Sequence, residues 1–108
     1  MSPDDAVRPP RPDHLLARIQ SLAQESSSVV FTNHAHDRMS ERDILDIDVF
    51  RVLRNGTLKG EVEAGRRTGD WKVKVVYRVR GSRDVGAVVV VTQAQRLVIV
   101  TVEWEDLS

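Results

Sequence analysis

At Gly56 the spacing of the apolar residues changes period, and this change constrains the fold more than any other feature of the chain. Before it, Leu15, Leu16, Ile19, Leu22 and Ala23 recur at the spacing of one helical face, and Val49, Phe50 and Leu53 do so again. After it, Trp71, Val73, Val75, Tyr77 and Val79 alternate with Lys72, Lys74, Val76, Arg78 and Arg80, the two-residue period of a strand with one buried face. Helices first and strands afterwards predict a segregated α+β domain, with N-terminal helices packed on the sheet.

Local signals place the elements. Residues 1–12 carry all four prolines and almost no apolar groups, which predicts a disordered tail followed by a single domain over 13–108. Asp13 is placed to cap the first helix, which should stop at the "ESSS" of Glu25–Ser28. Val29–Phe31 is a short β-branched and aromatic run, and Thr32 or Asn33 can cap a second helix from His34. A third helix has Asp46 as its cap and Gly56 as a left-handed stop. Leu58–Ala64 reads as an edge strand, Val85–Thr92 as a central strand apolar on both sides, and "LVIVTVEWED" as the last strand. The short connections between these runs predict an antiparallel meander of three or four strands.

Composition narrows the chemistry. The absence of cysteine excludes thiolate metal sites and thiol nucleophiles, and fits a reducing cytoplasm. No apolar run approaches bilayer length and the N-terminus lacks a secretory pattern, so the expectation is a cytoplasmic protein without membrane contact. The glycines match neither a phosphate-binding loop nor a dinucleotide fingerprint, so no nucleotide cofactor is expected. The formal charge is zero, and a polyanionic partner must therefore be argued from where the charges lie.

The segment "TNHAHDRMSER" draws attention first as a paired-histidine metal site. On a helix, however, His34 and His36 point roughly 200° apart and cannot converge on one ion, so no metal is expected. His34, Arg38 and Arg42, at successive four-residue steps, lie instead along one stripe. An imidazole that moves a proton near neutral pH, beside guanidiniums that bind phosphate oxygens, suits a phosphodiester. The plainer alternative is a solvated stripe with the arginines paired to Asp37, Glu41, Asp43 or Asp46.

A second feature lies in "WKVKVVYRVR". Lys72, Lys74, Arg78 and Arg80 share one strand face, with Arg66, Arg67 and Arg83 in the flanking loops, the one strongly basic region of a neutral chain. A half-exposed strand that uses cations against edge pairing would look the same. Strict alternation along the last strand puts Thr101 and Glu103 on one face with Ile99, opposite Val98, Val100, Val102 and Trp104.

The order "HAHDRMSERDI", then "DVFRVLRNG", then a Gly-Asp-Trp strand and "LVIVTVEWED" resembles a family of small bacterial domains of unknown function that opens H-A-x-x-R-M-x-x-R-x-I. The matching positions are His34, Ala35, Arg38, Met39, Arg42 and Ile44, within a resemblance that spans about residues 29–104. Such domains are grouped with the RelE, ParE and MqsR toxins. The grouping implies a RelE-like fold and metal-independent RNA cleavage by attack of a 2′-hydroxyl on the adjacent phosphate. It points to His34, Arg38 and Arg42 as catalytic residues and, more weakly, to Thr101. Two departures stand out: Lys72 replaces a glutamine of MqsR-like toxins, and Glu105 stands where they carry lysine. The expectation is a toxin-like endoribonuclease with Lys72, Lys74, Arg78, Arg80 and Thr101 on RNA and an antitoxin or other protein as partner. The alternative is a catalytically silent module or inhibitor that binds protein or nucleic acid through the basic strand face or the sheet edge.

Overall fold

The computed structural model of the chain describes residues 8–81 and 83–105; most of the expected N-terminal tail lies outside them. The elements run α1 (Pro12–Leu22), β1 (Val29–Phe31), α2 (Asn33–Arg42), α3 (Asp46–Asn55), β2 (Thr57–Ala64), β3 (Trp71–Arg80), β4 (Arg83–Val91) and β5 (Leu97–Trp104). The strands form one mixed sheet in the order β1-β5-β4-β3-β2, with β1 parallel to β5 and all other pairs antiparallel. The class is α+β as expected, but the sheet has five strands rather than three or four. The added strand is Val29–Phe31, too short for alternation to identify. It pairs in parallel because the chain between it and β5 supplies the long return that a parallel neighbour needs.

Helix ends follow local chemistry, with three corrections to the sequence reading. Helix α1 begins at Pro12, whose fixed φ and missing N–H suit the first helical position, so Asp13 lies in the first turn instead of capping. In α3 the cap position is Leu45, and the carboxylate of Asp48 reaches back to accept from the Leu45 N–H at 2.9 Å. Gly56 is extended rather than left-handed; a Cβ there would lie 2.5 Å from the carbonyl oxygen of Val52 and 2.6 Å from that of Val76. Glycine is required at Gly56 for closeness of backbone, while the left-handed helix end belongs to Asp43 after α2.

The core fills one side of the sheet. Leu15 and Ile19 of α1, Ala35 and Met39 of α2, and Val49, Val52 and Leu53 of α3 are buried against the inward residues of β3, β4 and β5. Helix α1 is thus an integral layer, not a loose arm. Full burial of a single Leu or Ile contributes about 1.5–3 kcal/mol. Among the described residues no helix is long and apolar enough to cross a membrane.

Among the described residues no helix covers the other side of the sheet, and its rows can be read from the register. One row runs Glu63, Lys72, Val90, Val98, Val30 across all five strands, and the next runs Lys59, Lys74, Val88, Thr101. Strict alternation along β5 fails here: Val88 faces Thr101 and Val89 faces Ile99, so Val100 is an extra residue in a bulge. The bulge shifts the phase by one. Ile99 therefore joins Val102 and Trp104 in the core, while Thr101 and Glu103 stay on the open face.

Candidate functional site

The stripe on α2 does not form one cationic pocket. Thr32 caps the helix, accepting from the Ala35 N–H at 3.0 Å, and its hydroxyl donates to the Ile99 carbonyl at 2.9 Å. At the other end Arg42 donates through Nη1 to the Val102 carbonyl at 2.7 Å, and the Trp104 indole donates to the Arg42 carbonyl at 2.7 Å. Helix α2 thereby covers the edge of β5 beyond the end of β1, satisfying carbonyls that a neighbouring strand would otherwise take. Arg42 is engaged in holding α2 to the sheet. Arg38 is half-buried and pairs with Glu41 at 3.0 Å, while its Nε is buried without a hydrogen-bond partner. His34 is exposed at the head of the helix, and His36 faces away to stack on Phe31 with ring centroids 5.3 Å apart.

The basic face of β3 divides into paired and unpaired cations. Lys74 bonds both Glu103 and Glu105, the second at 2.6 Å, and Lys59 meets Glu105 at 2.8 Å. These side chains cross above Gly86, where a Cβ would lie 2.6 Å from Glu105 Oε2 and 2.7 Å from Lys74 Cε. Burial acts to lower the pKa of Lys74, but the hydrogen bonds and charges of Glu103 and Glu105 outweigh it and hold the ammonium above the usual lysine range. Burial likewise acts to raise Glu105, and the hydrogen bonds and charges of Lys59 and Lys74 bring it below the usual carboxylate range. Arg78 pairs with Asp84 at 3.0 Å, and the Arg83 guanidinium lies 3.9 Å from the centroid of the Trp104 ring. Arg80 ends β3, and its side chain is outside the described residues.

Lys72 is different. Among the described residues its side chain has neither an ion-pair nor a hydrogen-bond partner, and the same holds for the side chains of Arg66 and Arg67 in the β2–β3 loop. All three line a cleft of about 1000 Å³ on the open face, floored by Val30, Val90, Val98 and Val100 and closed at one end by the β4–β5 turn with Arg96. The Arg96 guanidinium donates to the Ser27 carbonyl at 3.0 Å, which leaves its charge uncompensated by an acid. Asp70 is the one carboxylate in the lining; it accepts from the Gln93 N–H at 3.1 Å and so ties the two loops together.

The structure thus brings Lys72, Lys74 and Thr101 onto one face but gives only Lys72 a free charge beside the cleft. Arg96 and the valine floor escaped the sequence reading. Arg96 sits in a polar turn with no periodicity, and Val98 and Val100 look like core when the bulge is not known. His34 is absent from the cleft lining, although Thr32, two residues before it, is part of it. A family model described as a domain of unknown function, DUF4258, matches residues 31–104. No curated protein and no solved structure matches the chain.

Proposed function

Since the chain belongs to the DUF4258 family of domains of unknown function, we propose, from its cleft and from the toxin resemblance of its motifs, that it is a toxin-like domain that binds single-stranded RNA on the open face of its sheet. The observation that carries this reading is the gathering of Arg66, Arg67, Lys72 and Arg96, none paired with a carboxylate among the described residues, around one concave surface, while Lys59, Lys74 and Arg78 are each paired with one. Phosphates spaced along a strand suit such a rim, and the aliphatic floor can receive ribose and base without selecting a sequence.

Four phosphate contacts give a log-log salt slope of about −3 for a single strand, a loss of about fifty-fold in affinity between about 50 and 200 mM salt. Fluorescence anisotropy with a labelled single-stranded RNA oligonucleotide measures it. Lys72→Glu and the Arg66→Glu, Arg67→Glu pair should each weaken binding and flatten the slope. Unchanged affinity in both would remove the reading.

Cleavage belongs to the same proposal. His34, exposed two residues after the Thr32 of the cleft lining, is the group to take the 2′-hydroxyl proton as that oxygen attacks the neighbouring phosphate. The P–O5′ bond breaks, the leaving 5′-oxygen takes a proton from water, and a 2′,3′-cyclic phosphate remains, with Arg38 on the same helix face to stabilise the charge. RNA products from the wild type and none from His34→Ala, together with growth arrest on induction that the variant relieves, are the expected results. Equal cleavage by His34→Ala would exclude this role.

The valine floor favours a second reading, in which an acidic segment of a protein partner lays aliphatic side chains in the cleft and carboxylates on its rim. It predicts a salt-sensitive complex with protein and no binding of the oligonucleotide.

A further inference from the structure

The family match begins at residue 31, so α1 and the 3-10 turn at Ser26–Ser28 precede it. Both nevertheless reach the β4–β5 turn that closes the cleft. From α1, Arg18 donates through Nη2 to the Thr92 carbonyl at 2.8 Å and through Nε to Gln95 Oε1 at 3.4 Å. From the 3-10 turn, the Ser27 carbonyl accepts from Arg96 at 3.0 Å. Within the turn, the Thr92 N–H donates to the Arg96 carbonyl at 3.0 Å and the Arg96 N–H donates to Thr92 Oγ1 at 3.1 Å, while Gln95 takes a left-handed conformation at φ 62° and its N–H donates to the Thr92 carbonyl at 3.1 Å. Arg18 and the Gln95 amide therefore share one acceptor. A turn with a left-handed non-glycine residue is strained on its own, and an external hold on that acceptor is what its geometry calls for.

We infer that residues 12–28, outside the family region, fix the rim of the cleft, and that Arg18 is a positioning residue that acts on the ligand through Arg96. This rests on the RNA reading for its ligand, though the contact itself does not depend on which polyanion or segment enters. The helical layer and the open face communicate at this end of the sheet, because Arg18 belongs to a helix anchored in the core by Leu15 and Ile19, whereas Arg96 borders the cleft.

The test is a double-mutant cycle in the full chain with the same labelled single-stranded RNA, joined to amide hydrogen exchange of residues 92–96 without ligand. Arg18→Met keeps the aliphatic stem and removes the donors; it should weaken RNA binding about fivefold and speed exchange at Gln95 and Arg96. Arg18→Lys, which keeps one donor for the Thr92 carbonyl, should recover part of both. In an Arg96→Ala background the binding effect of Arg18→Met should vanish, which general destabilisation would not produce. Wild-type affinity in Arg18→Met, or the same loss with and without Arg96, overturns the inference and leaves the RNA reading standing. If the wild type binds no RNA, that reading falls and exchange decides the rest: unchanged exchange in Arg18→Met overturns the positioning role, and faster exchange upholds it.

Discussion

Lys72 and Lys74 are two residues apart on one strand and project from one face, yet they differ in what they can offer a ligand. Lys74 spends its charge on Glu103 and Glu105, while the Lys72 ammonium lines the cleft with no carboxylate partner among the described residues. Lys72→Met should therefore cost RNA affinity several-fold, on the order of one phosphate contact, and Lys74→Met much less, by anisotropy at low salt. The ends of the crossing Lys74 and Glu105 side chains pass where a Cβ on Gly86 would lie, at 2.7 and 2.6 Å. Gly86→Ala should lower stability by about 1 kcal/mol in urea unfolding, the low end of overpacking costs, because the atoms it meets are the ends of flexible side chains. By displacing Lys74 from Glu105, the same substitution should also raise RNA affinity, an outcome opposite in sign to its effect on stability. Lysine alternation was readable from the chain, but the division between free and paired cations was not, because Glu103 and Glu105 are distant in sequence and meet Lys74 only across β4.

Helix α2 is held to β5 at both ends by contacts that replace a strand partner: Thr32 to Ile99 and Val100, Arg42 to Val102, and Trp104 back to Arg42. Thr32→Ala should cost about 1 kcal/mol for the cap, measured by denaturant unfolding, since the Ile99 carbonyl keeps the backbone N–H of residue 32 as a donor. Arg42→Met leaves the Val102 carbonyl without that donor and should destabilise by about 1–3 kcal/mol. RNA affinity per folded molecule should be unchanged in Arg42→Met, because Arg42 faces the sheet edge and not the cleft. The stripe of His34, Arg38 and Arg42 is legible as a periodicity, and so is the Thr32 cap. That Arg42 serves as an edge clamp depends on β1 pairing with β5 and leaving its far end uncovered, which no local pattern announces.

For the molecule as a whole, stability should vary with pH through the cluster that joins β2, β3 and β5. Glu105 is held below its ordinary pKa by Lys59 and Lys74, so its contribution is complete above the unfolded value of about 4.3 and is lost as pH falls through the lower folded value. Lys74 is held above its ordinary pKa, so its contribution is complete below about 10.4 and is lost as pH rises through the higher folded value. Thermal unfolding should give a plateau between those limits, and Glu105→Gln should remove most of the acid-side decline that this cluster causes. The chain by itself determined the class, the order of helices before strands, the inward face of β3 and the cap of α2, because each depends on periodicity or on groups within a few residues. Tertiary structure alone decided the fifth strand, the phase shift at Val100, the extended role of Gly56 and the gathering of Lys72, Arg66, Arg67 and Arg96 about one cleft. These depend on which segments become neighbours across the sheet, and pairing between segments far apart in sequence leaves no local period to read.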